Sequence, residues 1–239
     1  MTLSRRIAAE FAGALALAAV VIGSGIMGAR LADGAAGLAL LANTLATAAI
    51  LFVLITALGP VSGAHLNPAV TLVAALRREM RAHVAALYAV AQTLGCVAGA
   101  MLAHALFELP LLQVSAMERA GAAQMLSEGC ATFALVACVL LVGRARPGAV
   151  AAAVALTIAA GYWWTASTSF ANPAITIARA LSDTFAGVRP SDAPGFIVAQ
   201  IVGALAAWLA CGWLYRAPAR ADQAVSTAAA TRSVSKSGG

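Results

Sequence analysis

Two short stretches of the chain share a chemistry that is not catalytic. Residues 66–71 read Leu-Asn-Pro-Ala-Val-Thr, and residues 171–176 read Ala-Asn-Pro-Ala-Ile-Thr. Asn is a favoured helix N-cap and Pro a favoured first helical residue. Each triplet, Asn67-Pro68-Ala69 and Asn172-Pro173-Ala174, therefore predicts a helix start. The apolar stretches behind them, about 68–76 and 173–181, reach only half of the ~30 Å hydrocarbon layer. Such a pair offers two helix N-termini, each worth about half a positive charge, and two side-chain amides that cap with oxygen and donate with nitrogen. This is recognition by hydrogen bonding. One Asn-Pro-Ala is a weak signal, whereas two, each ahead of a half-length apolar helix in an inverted repeat, are specific. No nucleophile–base set, metal-ligand cluster or cofactor fingerprint accompanies them, so no catalytic residue, metal or cofactor is assigned and the chain does not read as an enzyme. Cys96, Cys130, Cys138 and Cys211 lie in apolar stretches without CxxC spacing and read as packing residues.

The elements that must position these motifs are membrane helices. Of 239 residues, 62% are hydrophobic and 10% charged, and the mean hydropathy is +0.90. A soluble domain carries about a quarter charged residues. A soluble enzyme is excluded, and the net charge of +6 belongs to membrane edges rather than to a nucleic-acid surface. Six apolar segments, about 7–28, 37–58, 84–107, 121–142, 148–164 and 195–215, are each long enough, or nearly so, to cross a bilayer. The first follows Arg5 and Arg6 like a signal peptide, but its apolar run is too long, it carries Glu10 and it ends in no clear cleavage site. It reads as a retained helix. With both termini inside, Arg5, Arg6, Arg77, Arg78, Arg81, Arg144, Arg146, Arg216 and Arg220 fall on the cytoplasmic side. Arg30, Arg119, Arg179 and Arg189 fall outside, as the positive-inside rule requires.

The chain also repeats itself. Besides the two Asn-Pro-Ala triplets, Ala91-Gln92-x-x-Gly95 matches Ala199-Gln200-x-x-Gly203, and Glu10 and Glu128 stand near the starts of the first and fourth segments. Two halves, about 1–107 and 121–215, each hold three crossings, an odd number, so they are inverted relative to one another. That places the working site at the midplane between them. The fold class is an all-α membrane protein of six transmembrane helices and two re-entrant half-helices. It forms one domain over 1–215, followed by a disordered cytoplasmic tail at 216–239. Residues 59–67 and 165–172 read as irregular backbone, tolerated at that depth only against protein or a wet cavity, with carbonyls available to a passing solute. The stripes Ala91-Gly95-Gly99-Ala103 and Ala199-Gly203-Ala207-Cys211 allow close helix crossings.

These residues resemble the aquaporin and aquaglyceroporin superfamily, the major intrinsic proteins. The likeness runs through Ala9-Glu10-Phe11-x-Gly13, Ser62-Gly63-x-His65-x-Asn67-Pro68-Ala69-Val70-Thr71, both Ala-Gln-x-x-Gly motifs and the second Asn-Pro-Ala. The resemblance implies a pore in each subunit, a homotetramer, a pore-lining role for His65, and Glu10 and Glu128 as buried acceptors for the re-entrant loops rather than a proton relay. The departure is at Ile175, where water-selective members carry Arg in the outer filter. Counting from the motifs puts the other filter positions at Thr47, Ala160 and Ser169, so the filter is wide, weakly polar and uncharged. Arg179, four residues beyond Ile175, either pairs with Asp183 or lines the outer vestibule in place of the missing charge. Residues 175–192 resemble a bacterial subgroup often encoded with arsenic-resistance genes, which implies arsenous acid as a solute. The reading is a passive channel in a bacterial inner membrane for small neutral solutes: arsenous acid, glycerol-like polyols and water. Its partners are those solutes and membrane lipid, not nucleic acid. A plain water or glycerol facilitator and, in another class, a secondary transporter are the alternatives.

Overall fold

The structure, a computed structural model, describes residues 1–215; the expected tail at 216–239, with Arg216 and Arg220, lies outside the described residues. Six long helices match the six apolar segments: α1 (Leu3–Leu31), α2 (Ala36–Ser62), α4 (Ala82–Leu106), α5 (Ala122–Ala145), α6 (Val150–Trp164) and α8 (Ala193–Leu214). All are long and apolar enough to cross a membrane, α6 by counting the 3₁₀ turn at Pro147–Ala149 that precedes it. Between them lie α3 (Pro68–Leu76) and α7 (Pro173–Ala180), of nine and eight residues. At 1.5 Å per residue they rise about 14 and 12 Å, half a membrane.

One difference concerns α2. The irregular backbone expected from residue 59 begins only at Gly63, because α2 runs through Pro60 to Ser62. Proline's φ suits a helix, and in the last turn it removes a single backbone bond. Gly63 then ends the helix in the left-handed region at φ 94°.

The two halves pack by the same rules. α1 lies against α4 and α2, and α5 against α8 and α6. Across the pseudo-two-fold, α2 meets α6, α3 meets α8 and α7 meets α4. The small-residue stripes sit at the tightest crossings. A Cβ on Gly95 would stand 2.4 Å from the Phe11 carbonyl oxygen, one on Gly99 2.3 Å from that of Leu15, and one on Gly203 2.1 Å from that of Gly129. These distances are below any van der Waals contact, so the crossings exist only because the side chains are missing.

Each re-entrant loop is held by one buried carboxylate. Glu10 Oε1 accepts from Ser62 Oγ at 2.6 Å and His65 N at 3.0 Å; Oε2 accepts from Leu66 N at 2.7 Å and Gln92 Nε2 at 2.8 Å. Glu128 repeats the pattern with Ser167 Oγ at 2.6 Å, Phe170 N at 2.9 Å, Ala171 N at 2.9 Å and Gln200 Nε2 at 2.6 Å. Ala64 and Leu66, and in the same register Ser169 and Ala171, have φ between 47° and 53°. Left-handed residues alternating with extended or right-handed ones turn successive N–H groups to one side, a nest for an anion. The carboxylate fills it, which offsets the ~1–3 kcal/mol cost of each non-glycine residue there.

Two outcomes are expected. Gly203→Val forces α5 and α8 apart at about 1–3 kcal/mol and lowers the midpoint of thermal unfolding in detergent, whereas Gly212→Ala, with nothing within 4 Å, leaves it unchanged. Glu10→Ala or Glu128→Ala strands four donors at about 1–3 kcal/mol each; the yield of folded protein collapses, and solute preference in whatever folds is unaltered.

Candidate channel site

The two half-helices meet N-terminus to N-terminus, each capped by its asparagine. Asn67 Oδ1 accepts from Ala69 N at 2.9 Å; Asn172 Oδ1 accepts from Ala174 N at 3.0 Å and Ile175 N at 3.3 Å. The amide nitrogens then cross the pseudo-two-fold. Asn67 Nδ2 donates to the Ala171 carbonyl at 2.7 Å, and Asn172 Nδ2 to the Leu66 carbonyl at 2.8 Å. Each amide keeps one further N–H, and both asparagines border an elongated cavity between the halves. Pro68 and Pro173 open the helices without wasting a donor, and the buried Ala69 and Ala174 bring only a methyl group each to the meeting point.

The cavity has two kinds of wall. One is apolar: Val150, Val154 and Ile158 from α6, Leu135, Val136 and Val139 from α5, Leu51 and Ile55 from α2. The other is the irregular backbone. Gly63, Ala64 and His65 on one side of the asparagines, and Ser169 and Phe170 on the other, border the cavity. Their carbonyls accept no hydrogen bond from the described residues. Because Glu10 and Glu128 take the N–H groups on one side of the strand, the carbonyls are left for the other. A solute with hydroxyls on one side and carbon on the other finds both partners here.

Thr47, Ser169 and Ile175 line this cavity. Ala160 does not; it lies on the exposed face of α6. Its successor Gly161 faces Ser169, where a Cβ would come within 2.5 Å of Ser169 Oγ. Tyr162 turns into the cavity, and its hydroxyl lies 3.1 Å from Thr47 Oγ1. Tyr162 was absent from the residues chosen by spacing, though the i, i+4 series Val150-Val154-Ile158-Tyr162 marks it as part of the wall-forming stripe. Ser62 and Ser167 were also missed. Each stands five residues before its asparagine and bonds the buried carboxylate.

His65 lines the cavity toward one end, its Nδ1 3.1 Å from Thr71 Oγ1 and its ring edge-on to Tyr88. Beyond it, Arg77 and Glu79 form an exposed pair at the mouth, with Nε and Oε1 2.6 Å apart. Arg179 stands toward the opposite end. The expected pair with Asp183 does not form, because α7 stops at Ala180 and the four-residue relation is no longer helical. Asp183 instead accepts from Ala116 N at 2.9 Å. Arg179 is buried, borders the cavity, lies over the Phe170 ring and donates through Nε to the Ala186 carbonyl. The linking loop is tied down beside it: Asp192 accepts from Arg119 N at 2.9 Å and Arg189 Nη2 at 3.0 Å. Desolvation pushes the Asp192 carboxyl up, but these donors together outweigh it and hold the group below the usual carboxylate range. Glu10 and Glu128 do not reach the cavity. His83 is exposed, and His104 is buried between the Leu111 carbonyl and Ser182. Among the described residues no group of three metal-ligating side chains occurs.

The chain is similar to known proteins. The family described as Major intrinsic protein matches residues 1–149 and 144–237. The chain is 52% identical over 219 residues to the aquaglyceroporin AqpS of Rhizobium meliloti (strain 1021), covering 91% of this chain and 93% of that protein. It is 30% identical over 247 residues to the probable aquaporin AqpM of Archaeoglobus fulgidus, covering 90% and 97%. The X-ray structure of the aquaglyceroporin from Plasmodium falciparum superposes with a TM-score of 0.67 at 19% identity, covering 89% of this chain and 95% of that one, a likeness of fold. Six crossings in two inverted halves, two asparagine-capped half-helices meeting in one cavity and relatives matched almost end to end lead to one assignment: this chain belongs to the major intrinsic protein family of membrane channels.

Proposed function

We propose that the protein is a passive channel for small neutral solutes, with a filter wide enough for glycerol-like polyols and arsenous acid as well as water. The observation that carries this reading is the two-walled cavity. Unpaired carbonyls and the Asn67 and Asn172 amides run along one side and apolar side chains along the other, with no carboxylate at the centre. Arsenous acid, neutral at pH 7 and shaped like a small polyol, suits the same surfaces. Aquaglyceroporins among the relatives and fold neighbours support the polyol reading. A coupled transporter needs an ionisable group that the solute path exposes at the midplane. Here both carboxylates inside the long helices are consumed by the loops they hold.

The filter is formed by Thr47, Tyr162, Ser169 and Ile175, with Gly161 in the α6 position first given to Ala160. Ile175 contributes neither the bulk nor the donors of an arginine. Arg179, one turn along α7, supplies the positive charge instead. We place the chain in a bacterial inner membrane as a homotetramer with both termini cytoplasmic. The Arg77–Glu79 mouth then faces inward and the Arg179 mouth outward.

The deciding measurement is stopped-flow permeability of the purified protein in vesicles to water, glycerol and arsenous acid. Fast glycerol or arsenous acid flux is expected, and Ile175→Arg lowers it by roughly tenfold or more, ~1.4 kcal/mol of barrier. Fast water flux alone overturns the wide-filter reading. Arg179→Ala is expected to raise sodium leak by on the order of tenfold or more, since unit charges about 6 Å apart at an effective dielectric near 20 interact by about 3 kcal/mol. An unchanged leak removes Arg179 from ion exclusion.

A further inference from the structure

The end of the cavity at Arg179, which serves as its outer mouth in the reading proposed above, carries more positive charge than passage of neutral solutes requires. Arg179 is 2% exposed, and its guanidinium carbon lies 3.3 Å from the centroid of the Phe170 ring. Nε donates to the Ala186 carbonyl, while Nη1 and Nη2 meet no acceptor among the described residues. A second guanidinium, that of Arg119, lies 5.1 Å from the same ring centroid. Each of its nitrogens already has one carbonyl acceptor: Nε donates to Gly187 at 2.8 Å, Nη1 to Ser167 at 3.3 Å and Nη2 to Phe185 at 3.4 Å. Among the described residues no carboxylate stands within salt-bridge distance of either arginine. Asp183 is turned to Ala116, and Asp192 is shared by the Arg119 backbone and Arg189.

Two cations share one aromatic ring with no salt-bridged carboxylate, and only Arg179, which borders the cavity, has both Nη nitrogens without an acceptor among the described residues. A buried charge in that position is costly until an opposite charge arrives. The open donors are the planar Nη pair of a guanidinium, a fork that matches two oxygens of one anion. The Ser169 hydroxyl, which donates to no described residue, borders the same cavity.

We propose that this mouth is a binding site for a small oxyanion. Two oxygens of the ion seat on Nη1 and Nη2 of Arg179, and Arg119 adds its charge from beside Phe170 without direct contact. Because Arg179 borders the path, the bound ion obstructs neutral solutes reversibly. The obstruction rests on the channel reading above; the binding does not.

Inorganic phosphate is the probe, with chloride at equal ionic strength as the reference. In vesicles of the full-length protein, millimolar phosphate is expected to slow glycerol flux several-fold and saturably. Arg179→Gln conducts equally in both salts. Arg179→Lys, which keeps the charge and loses the fork, shows a weaker block. Binding is read separately in detergent, where millimolar phosphate, too dilute for general salt stabilisation, raises the unfolding midpoint of the wild-type protein and not that of Arg179→Gln. Phosphate stabilisation without glycerol flux in either salt supports the site and sinks the polyol channel. Flux and unfolding midpoint both indifferent to phosphate overturn the site, as does a block that persists in Arg179→Gln.

Discussion

Backbone groups at membrane depth have no water to bond, and the architecture follows from how that debt is met. Helices meet it internally. The two loops that lead into α3 and α7 cannot, and they depend on Glu10 and Glu128. Each carboxylate gathers two backbone N–H groups, one serine and one glutamine, from α2, the loop and α4 for Glu10 and from the loop and α8 for Glu128, so it fixes the loop's left-handed turns and ties the loop to the long helices at once. The same act decides function. With the N–H side of the strand facing the carboxylate, the carbonyl side is left to the cavity. A group that looks from its burial like a candidate for proton chemistry is instead what makes an uncharged hydrogen-bonding path possible.

Selectivity is laid over that frame by a few side chains. The asparagines spend their oxygens on their own helix and one N–H each on the other half, which leaves one N–H per amide for a solute. Helix N-termini converge there and disfavour cations. Along the cavity, Tyr162 and Thr47 share a contact, Gly161 makes room for Ser169, and Ile175 presents an alkyl group. The positive charge reappears one turn further along α7, seated on an aromatic face rather than on a carboxylate. In the filter proposed above, charge and width are set by different residues.

The long helices, the half-helices and the inverted repeat were legible because each rests on a local and periodic signal: apolar runs of spanning length, Asn-Pro starts, recurring motifs. Ala160 shows where that legibility ends. Counting back from a motif assumes that the intervening loop, 165–171, has a standard length. A shift of one or two residues on a helix rotates the side chain by 100° or 200°, from the cavity to the exposed face. The Arg179–Asp183 alternative failed because an i, i+4 partnership needs the helix to continue, and the half-helix read over 173–181 already ends short of Asp183. α2 runs past the expected start of irregular backbone at residue 59 because Pro60, in a final turn, costs only one bond. Ser62 and Ser167 belonged to the repeat all along, but their partners lie 52 and 39 residues away, a distance that pattern alone does not bridge.

The crossed amide bonds also set an order of assembly. Everything Glu10 holds, from Ser62 to Gln92, lies in the first half, so that loop takes its shape as soon as α4 is in the bilayer. The Asn67–Ala171 bond spans 104 residues and the Asn172–Leu66 bond 106. Until the second half is inserted, the Leu66 carbonyl and the Asn67 amide wait unpaired at the centre of a three-helix intermediate. Closing long loops carries an entropic cost, and the central crossing cannot form before both halves are in place. One half alone encloses no lumen, because the cavity is walled by both halves and the two crossed bonds join them across its centre.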